Sequence, residues 1–274
     1  MTTMTRYLFD NTGIQTENRF QALEACYDPF SRRQLARTGL APGWRCLEVG
    51  GGGGSLGDWL GERVGPGGEV TITDLDPRWA TRDRPPHVRV LRHDIVTEPL
   101  PLPADGYDLV HARLVLLHLP ERLDVLDRLV AALRPGGLLV LEEFDCTWQP
   151  VLTAPDAASA ALYERVQAAL MAQLEKRGAD GAWGRNVYGA MVRAGLTDLT
   201  ATTYAESWTG GGTGVGLHQA NARQVADGLR AEGLTDSELA RYHALLANPA
   251  FTVNSLPLIS VTGRRRAAGE AAAR

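Results

Sequence analysis

The chain has 274 residues, 44% of them hydrophobic and 22% charged, with a formal net charge of −4 at neutral pH. That is enough for one large α/β domain with room for a small appended lobe, in the composition range of soluble globular proteins. With 32 acidic against 28 basic residues, nothing electrostatic points to nucleic acid or a membrane surface as a partner.

Residues 17–38 carry Phe20, Leu23, Cys26, Tyr27 and Phe30 at helical spacing, with an interruption expected near Pro29. Pro42-Gly43 turns into a first strand at 45–49, which runs straight into five glycines, Gly50 to Gly54. A helix is predicted over 55–64. A second strand at 69–73 ends in Asp74-Leu75-Asp76-Pro77, where the proline blocks extension and opens a short helix. The third strand, at 87–92, leads into His93-Asp94-Ile95. The fourth, at 107–111, enters a helical segment at 114–119. An amphipathic helix over 120–133 stops at Arg134-Pro135-Gly136-Gly137, before a fifth strand at 138–142. Strands separated by helical crossovers predict right-handed βαβ units and a parallel sheet.

The second half changes character. Helices are predicted over 156–177 and 184–194, and a β-branched, aromatic run at 196–208 predicts a sixth strand. A glycine-rich loop at 209–214 leads to helices at 217–232 and 235–247, then to a closing strand at 256–262. The Arg/Ala-rich tail, 264–274, is expected to fray. Cys26, Cys46 and Cys146 are far apart without metal-ligand spacing. Reduced thiols and a cytoplasmic location are therefore expected. No signal-peptide pattern opens the chain, and no apolar run approaches the ~20 residues that cross a bilayer.

The five glycines are the most informative feature. Only glycine lets a backbone turn this sharply and press against a ligand. Such a turn between strand and helix holds nucleoside-containing cofactors at the carboxyl edge of a parallel sheet. Asp74, about 20 residues further on, is placed to accept from both ribose hydroxyls. Leu75 would pack on one adenine face. Asp94 would accept from the adenine amino group while Ile95 covers the ring. Taken singly, each has a plainer explanation: an aspartate after a strand is commonly a cap or turn residue. Asp76 is the cap and Asp74 the ligand, or the reverse.

As a set, these segments resemble the class I S-adenosylmethionine-dependent methyltransferases, in their small-molecule, natural-product branch of actinobacterial type. The residues that carry the likeness are Leu47 to Gly54, Thr73 to Asp76, His93 to Ile95, Tyr107 to Arg113 and Leu133 to Gly137, within 40–145. The resemblance implies an α/β fold with a Rossmann-like seven-stranded sheet, helices on both faces, an antiparallel last strand, and helical insertions forming a substrate lid. It divides the chain into a helical segment or lid (1–40), a cofactor-binding core (41–145), the rest of the sheet with substrate-covering helices (146–263) and a disordered tail (264–274). The implied cofactor is S-adenosyl-L-methionine, leaving as S-adenosyl-L-homocysteine, with no metal. Glu48 would anchor the glycine loop or approach the methionine amino group. Gly50, Gly52 and Gly54 would form the turn beneath methionine and ribose. The backbone at His111 and Ala112 would meet the amino group, and Arg113 or Arg19 the carboxylate. Tyr7 would fold over the cofactor.

Methyl transfer from a sulfonium is an in-line displacement, so the protein mainly aligns the partners and excludes water. A hydroxyl or protonated nitrogen acceptor would need a base. His118, Glu143 and Asp145 are the catalytic candidates, with Glu142, Glu206 and His218 beside them. Packing or capping competes for His118, and strand alternation turns one of Glu142 and Glu143 away. Trp148, Tyr163, Trp183, Tyr188, Trp208 and His218, with Phe251, are the candidate substrate-binding residues, against core packing as the default. The expected substrate is a small aromatic or indole-like intermediate, methylated at carbon, nitrogen or oxygen. A monomer or homodimer is expected, without nucleic acid or membrane partners. Two alternatives stay open: an NAD(P)-dependent oxidoreductase, although no Tyr-x-x-x-Lys pair is present, and a non-catalytic cofactor-binding accessory protein.

Overall fold

The computed structural model describes Leu8, residues 14–267 and Gly269. Tyr7 and the tail residues 268 and 270–274 lie outside the described residues. The chain begins with α1 (Ile14–Arg37), then β1 (Arg45–Val49), α2 (Ser55–Val64), β2 (Glu69–Asp74), β3 (Val88–Arg92), β4 (Tyr107–Arg113), α3 (Arg122–Ala132) and β5 (Leu133–Phe144). There follow β6 (Val151–Thr153), α4 (Ala157–Glu175), α5 (Trp183–Arg193), β7 (Thr197–Tyr204), β8 (Ser207–Thr209), α6 (Thr213–Gln224), α7 (Ala226–Ala231), α8 (Asp236–Leu246), β9 (Thr252–Asn254) and β10 (Leu258–Arg264).

Seven strands form one sheet in the order β3-β2-β1-β4-β5-β10-β7. The pairs from β3 to β5 are parallel. The last strand, β10, is antiparallel to both neighbours. Val49 at the end of β1 aligns with Thr73 on one side and Ala112 on the other. The carboxyl ends of β1, β2 and β4 therefore share one edge.

Strand alternation sorts the core into two faces. Cys46, Leu109 and Val140 pack under α2 and Leu35 of α1. Leu47, Val110, Leu139 and Leu141 pack under α3 and α5. β1 and β4 are buried on both faces, as central parallel strands are.

Several elements depart from expectation. α1 runs unbroken through Pro29. A proline inside a helix costs roughly 3 kcal/mol, but Tyr27, Phe30 and Leu35 around it are buried and their packing holds the axis. β4 continues two residues past 111, and β5 begins at Leu133, taking the Arg-Pro-Gly-Gly segment into the strand with an irregular register against β4. Residues 207–209 leave the main sheet and join a small one, ordered β6-β9-β8. Its strands have three residues each, too short to show a period. At the tail, Arg264 ends β10 and Arg265 exchanges backbone hydrogen bonds with Gly136 and Gly137.

The helices of the second half build a further layer: α6 lies along α1, and α4 packs against α7 and α8. Its interior holds Tyr27, Phe144, Tyr163, Trp208, Tyr242 and Phe251. α5 instead lies close on β5, where a Cβ on Gly184 would stand 2.6 Å from the Phe144 carbonyl. Backbone cannot yield as a side-chain tip does. Gly184→Ala should therefore destabilise by about 1–3 kcal/mol from overpacking, outweighing the gain of up to ~1 kcal/mol in helix propensity. Urea unfolding checks this, and a variant as stable as the parent would show that α5 has room to shift.

Candidate cofactor-binding site

A cavity of about 450 Å³ opens at the shared carboxyl edge, beneath α1. That is within the ~300–1,000 Å³ usual for small-molecule sites. Its floor is the glycine turn. The Gly50 and Gly51 amides donate to the Thr73 carbonyl at 2.7 and 3.0 Å. Gly50 and Gly52 take φ of 66° and 52°, where side chains are strained, and a Cβ on Gly50 would overlap Val115. The turn needs glycine at these positions, and the backbone there lines the cavity.

Asp74 stands at the end of β2 on the cavity wall. One carboxylate oxygen accepts from the Gly52 amide and the other from the Asp76 amide, both at 2.9 Å. The side chain thus braces the glycine turn across two strands. Burial raises its pKa, against the lowering effect of those amide bonds. Asp76 caps the short turn Pro77–Trp79 by accepting from the Arg78 amide. Of the two aspartates, Asp74 lines the cavity and Asp76 caps. Asp94, after β3, accepts from the Val96 amide at 2.9 Å and the Thr97 hydroxyl at 2.8 Å. Ile95 beside it is buried, while Leu75 is half exposed on the same wall.

From the β4 side the wall is Arg113, Leu114, Val115, His118 and Leu119. Leu114 holds φ of 57°, with its amide donating to the Glu142 carbonyl at 2.8 Å. α1 contributes Arg19, Phe20, Leu23 and Glu24, at the i, i+3, i+4 spacing of one helix face. Arg19 also donates to Asn221 of α6 at 3.1 Å.

Residues 47–139 match the family described as methyltransferase domain. Methyltransferase Str2 of Strobilurus tenacellus is 30% identical over 171 residues, spanning 62% of this chain and 59% of that protein. The ubiquinone/menaquinone biosynthesis C-methyltransferase UbiE of Laribacter hongkongensis is 31% identical over 153 residues, spanning 53% and 59%. The chain thus spans little more than half the length of these curated relatives. In fold it is similar to a candidate methyltransferase of Bacillus halodurans, with a TM-score of 0.54 and 14% identity, over 85% of this chain and 98% of the other. Residues 47–139 thus match a methyltransferase domain, and the fold around them is similar to that of solved class I methyltransferase-like chains.

Within this methyltransferase fold, several expected site residues lie elsewhere. Because β4 runs on to Arg113, His111 and Ala112 are buried inside it, and the rim falls to residues 113–115. Gly54 does not line the cavity; it caps α2 in a left-handed conformation. Glu48 points into the protein, 2.6 Å from Nδ1 of His111. Nε2 of His111 is 3.4 Å from Glu142. Glu48, His111 and Glu142 are two residues further along than the apolar trio Cys46, Leu109 and Val140, so they form a charged layer on the same face. Burial alone would pull His111 down, but the Glu48 and Glu142 carboxylates outweigh it and push the pKa up to about 9. Burial would raise Glu142, and the neighbouring His111 imidazole, with Arg113 and the Ser31 hydroxyl, brings it below the ordinary carboxylate value.

The candidate bases separate likewise. Glu143 does not line the cavity and accepts from the Leu116 amide at 2.8 Å and the Leu117 amide at 3.4 Å. Burial pushes it up to about 8 despite those bonds. It caps the turn Leu116–His118 rather than meeting a ligand. Asp145 is held by Arg185 and Thr147. His118 does line the cavity, but burial, then the Arg19 charge, hold it down to about 3.

The aromatic candidates do not line the cavity. Tyr163, Trp208 and Phe251 are packed in the core of the helical layer. His218 is buried there, 2.9 Å from the Gln149 amide nitrogen and 3.3 Å from the Tyr163 hydroxyl. Burial lowers it to about 4. Glu206 accepts from the Trp208 indole at 3.1 Å. Trp183 opens α5 and is buried beside Arg122, whose guanidinium stands 5.7 Å from its ring. Trp148 and Tyr188 are on the surface. Among the described residues, no group of three or more His, Cys, Asp or Glu is placed to hold a metal ion, and no helix is long and apolar enough to cross a membrane.

The charged layer gives a pH-dependent prediction. Raised above its ordinary 6.5, His111 contributes stability that is full below that value and lost as pH rises through about 9. Removing one partner of a buried ionic cluster costs roughly 3–5 kcal/mol. In denaturant titrations, His111→Gln should be less stable by about that amount at pH 8. Wild type should then weaken more steeply than the variant as pH rises from about 6.5 through about 9. Parallel pH curves would remove the imidazolium from this account.

Proposed function

We propose that the protein methylates a small, largely apolar, ring-bearing molecule, with S-adenosylmethionine as donor. The observation that carries the reading is the convergence on one cavity of the glycine turn, Asp74, Asp94 with Ile95, and the two arginines Arg19 and Arg113. Asp74 would hold the ribose, with lone pairs left over after bracing the turn. Ile95 and Leu75 would enclose the adenine, and Asp94 accept from its amino group. Arg113 and Arg19 suit the methionine carboxylate. Glu24, also on the cavity wall, suits the ammonium; burial first, then Asp28, raises its pKa.

Bound S-adenosylmethionine supplies a methyl group already activated by the sulfonium charge. The chain's part is to align, to exclude water and to avoid repelling that charge. Phe20, Leu23, Leu114 and Leu119 give the cavity its apolar wall. His118, uncharged at neutral pH, brings no positive charge against the sulfonium. Held near 3, it is also a poor proton acceptor. We therefore favour an acceptor that is nucleophilic without deprotonation, an electron-rich ring carbon or a neutral amine, over an alcohol. The carbon-methylating relative UbiE fits that preference. The second-half helices would act on substrate through α1, along which α6 lies, rather than by lining the cavity themselves. We place the protein in the cytoplasm, as a monomer or homodimer.

Calorimetry with S-adenosylhomocysteine and NAD, followed by a methyl-labelled donor assay on electron-rich aromatics and amines, tests the reading. Asp74→Ala should weaken S-adenosylhomocysteine by about 1–3 kcal/mol, the cost of leaving buried polar partners unmade. Tight NAD binding without S-adenosylhomocysteine binding would transfer the site to a dinucleotide enzyme. Cofactor binding with no methyl transfer to any class of acceptor would favour an accessory role.

A further inference from the structure

The charged layer inside the sheet does not end at Glu142. The Ser31 hydroxyl, on α1 and fully buried, donates to the Glu142 carboxylate. The same oxygen accepts from Nη1 of Arg113 at 3.0 Å. Nη2 of Arg113 donates to Asp28 at 2.9 Å, one helical turn before Ser31. A chain of contacts thus runs from Glu48 through His111, Glu142 and Ser31 to Arg113 and Asp28. Charges alternate along it: carboxylate, imidazolium and carboxylate up to the Ser31 hydroxyl, then the Arg113 guanidinium and the Asp28 carboxylate beyond it. Only its far end, Arg113, lines the cavity.

Such a chain polarises in one direction. His111 draws on Glu142, Glu142 accepts the Ser31 hydrogen bond, and the Ser31 oxygen is left to accept from Arg113. A guanidinium has five N–H donors in a fixed fork. With one edge held by Ser31 and Asp28, its remaining donors are set at a fixed angle to the cavity. A guanidinium held in one orientation loses less freedom when it meets a carboxylate.

We propose that Ser31, backed by Glu142, His111 and Glu48, is a positioning residue that orients Arg113 toward the amino-acid end of the cofactor. The inference rests on the cofactor reading above and adds residues that never touch the ligand. It distinguishes two roles for Ser31. A purely structural serine would fasten α1 to the sheet and affect every ligand beneath α1 alike. A positioning serine would affect only ligands that carry the carboxylate.

Calorimetry on the full-length protein separates the two. One ligand is S-adenosylhomocysteine; the other is 5′-methylthioadenosine, which keeps the nucleoside and lacks the amino acid. Ser31→Ala should weaken the first about tenfold and leave the second unchanged. In an Arg113→Gln background, Ser31→Ala should have no further effect on either. Asp28→Asn, at the other anchor of the guanidinium, should show the same selective loss, and it serves if Ser31→Ala does not fold. Equal loss of both ligands, no loss of either, or an undiminished effect in the Arg113→Gln background would each overturn the proposal. Wild type that bound neither ligand would instead overturn the cofactor reading beneath it.

Discussion

The His111 imidazolium lies between two carboxylates in the middle of the sheet, and α1 is fastened to that cluster through Ser31. Everything at the carboxyl edge depends on this attachment. α1 crosses above the glycine turn and supplies Arg19, Phe20, Leu23 and Glu24 to the cavity. Apolar packing secures the same helix further along, through Leu35 over Cys46, Leu109 and Val140. Beside the cavity, however, an apolar seat would have to continue the core outward and fill the space a ligand needs. A buried polar cluster gives a directional anchor instead. Its desolvation cost is large and is met only because each charge has an opposite neighbour.

Much of the cavity wall around the glycine turn was legible because its signals are local. A strand ending in glycines, an aspartate after the next strand and an acid-apolar pair after the third each lie within a few residues, and each sits where the turn geometry demands. The carboxyl end of β4 was harder. The apolar run of 107–111 gives no reason to extend past His111, and the two further residues are held by pairing with Leu141 and Glu142. That shift moved the rim from His111 and Ala112 to Arg113, Leu114 and Val115. A usable signal did exist: Glu48, His111 and Glu142 are ionisable residues on one face of buried strands. Such residues are expected to partner one another rather than face a ligand.

The aromatic residues of the second half misled for a related reason. Their number and position beyond the core suggested a substrate sandwich, yet Tyr163, Trp208 and Phe251 are the interior of the helical layer. The added layer has an extensive core of its own, and large rings fill much of it. Local pattern cannot tell a ring facing a cavity from one facing a neighbouring helix. The small sheet of β6, β8 and β9 and the passage of α1 through Pro29 escaped notice likewise, since both are decided by distant packing partners.

Leu114 has a consequence of its own. A branched aliphatic side chain in a left-handed backbone conformation stores strain of about 1–3 kcal/mol, which glycine at the same place would release. Leucine nevertheless occupies it, with the Glu142 carbonyl clamping its amide. The energy kept there is a standing bias against the resting shape of the rim, and it needs little added force to be released. The corner where β4 meets the cavity is thus the place where this scaffold would yield first to heat, to pressure or to an ill-fitting guest, while the glycine floor below it stays as it is.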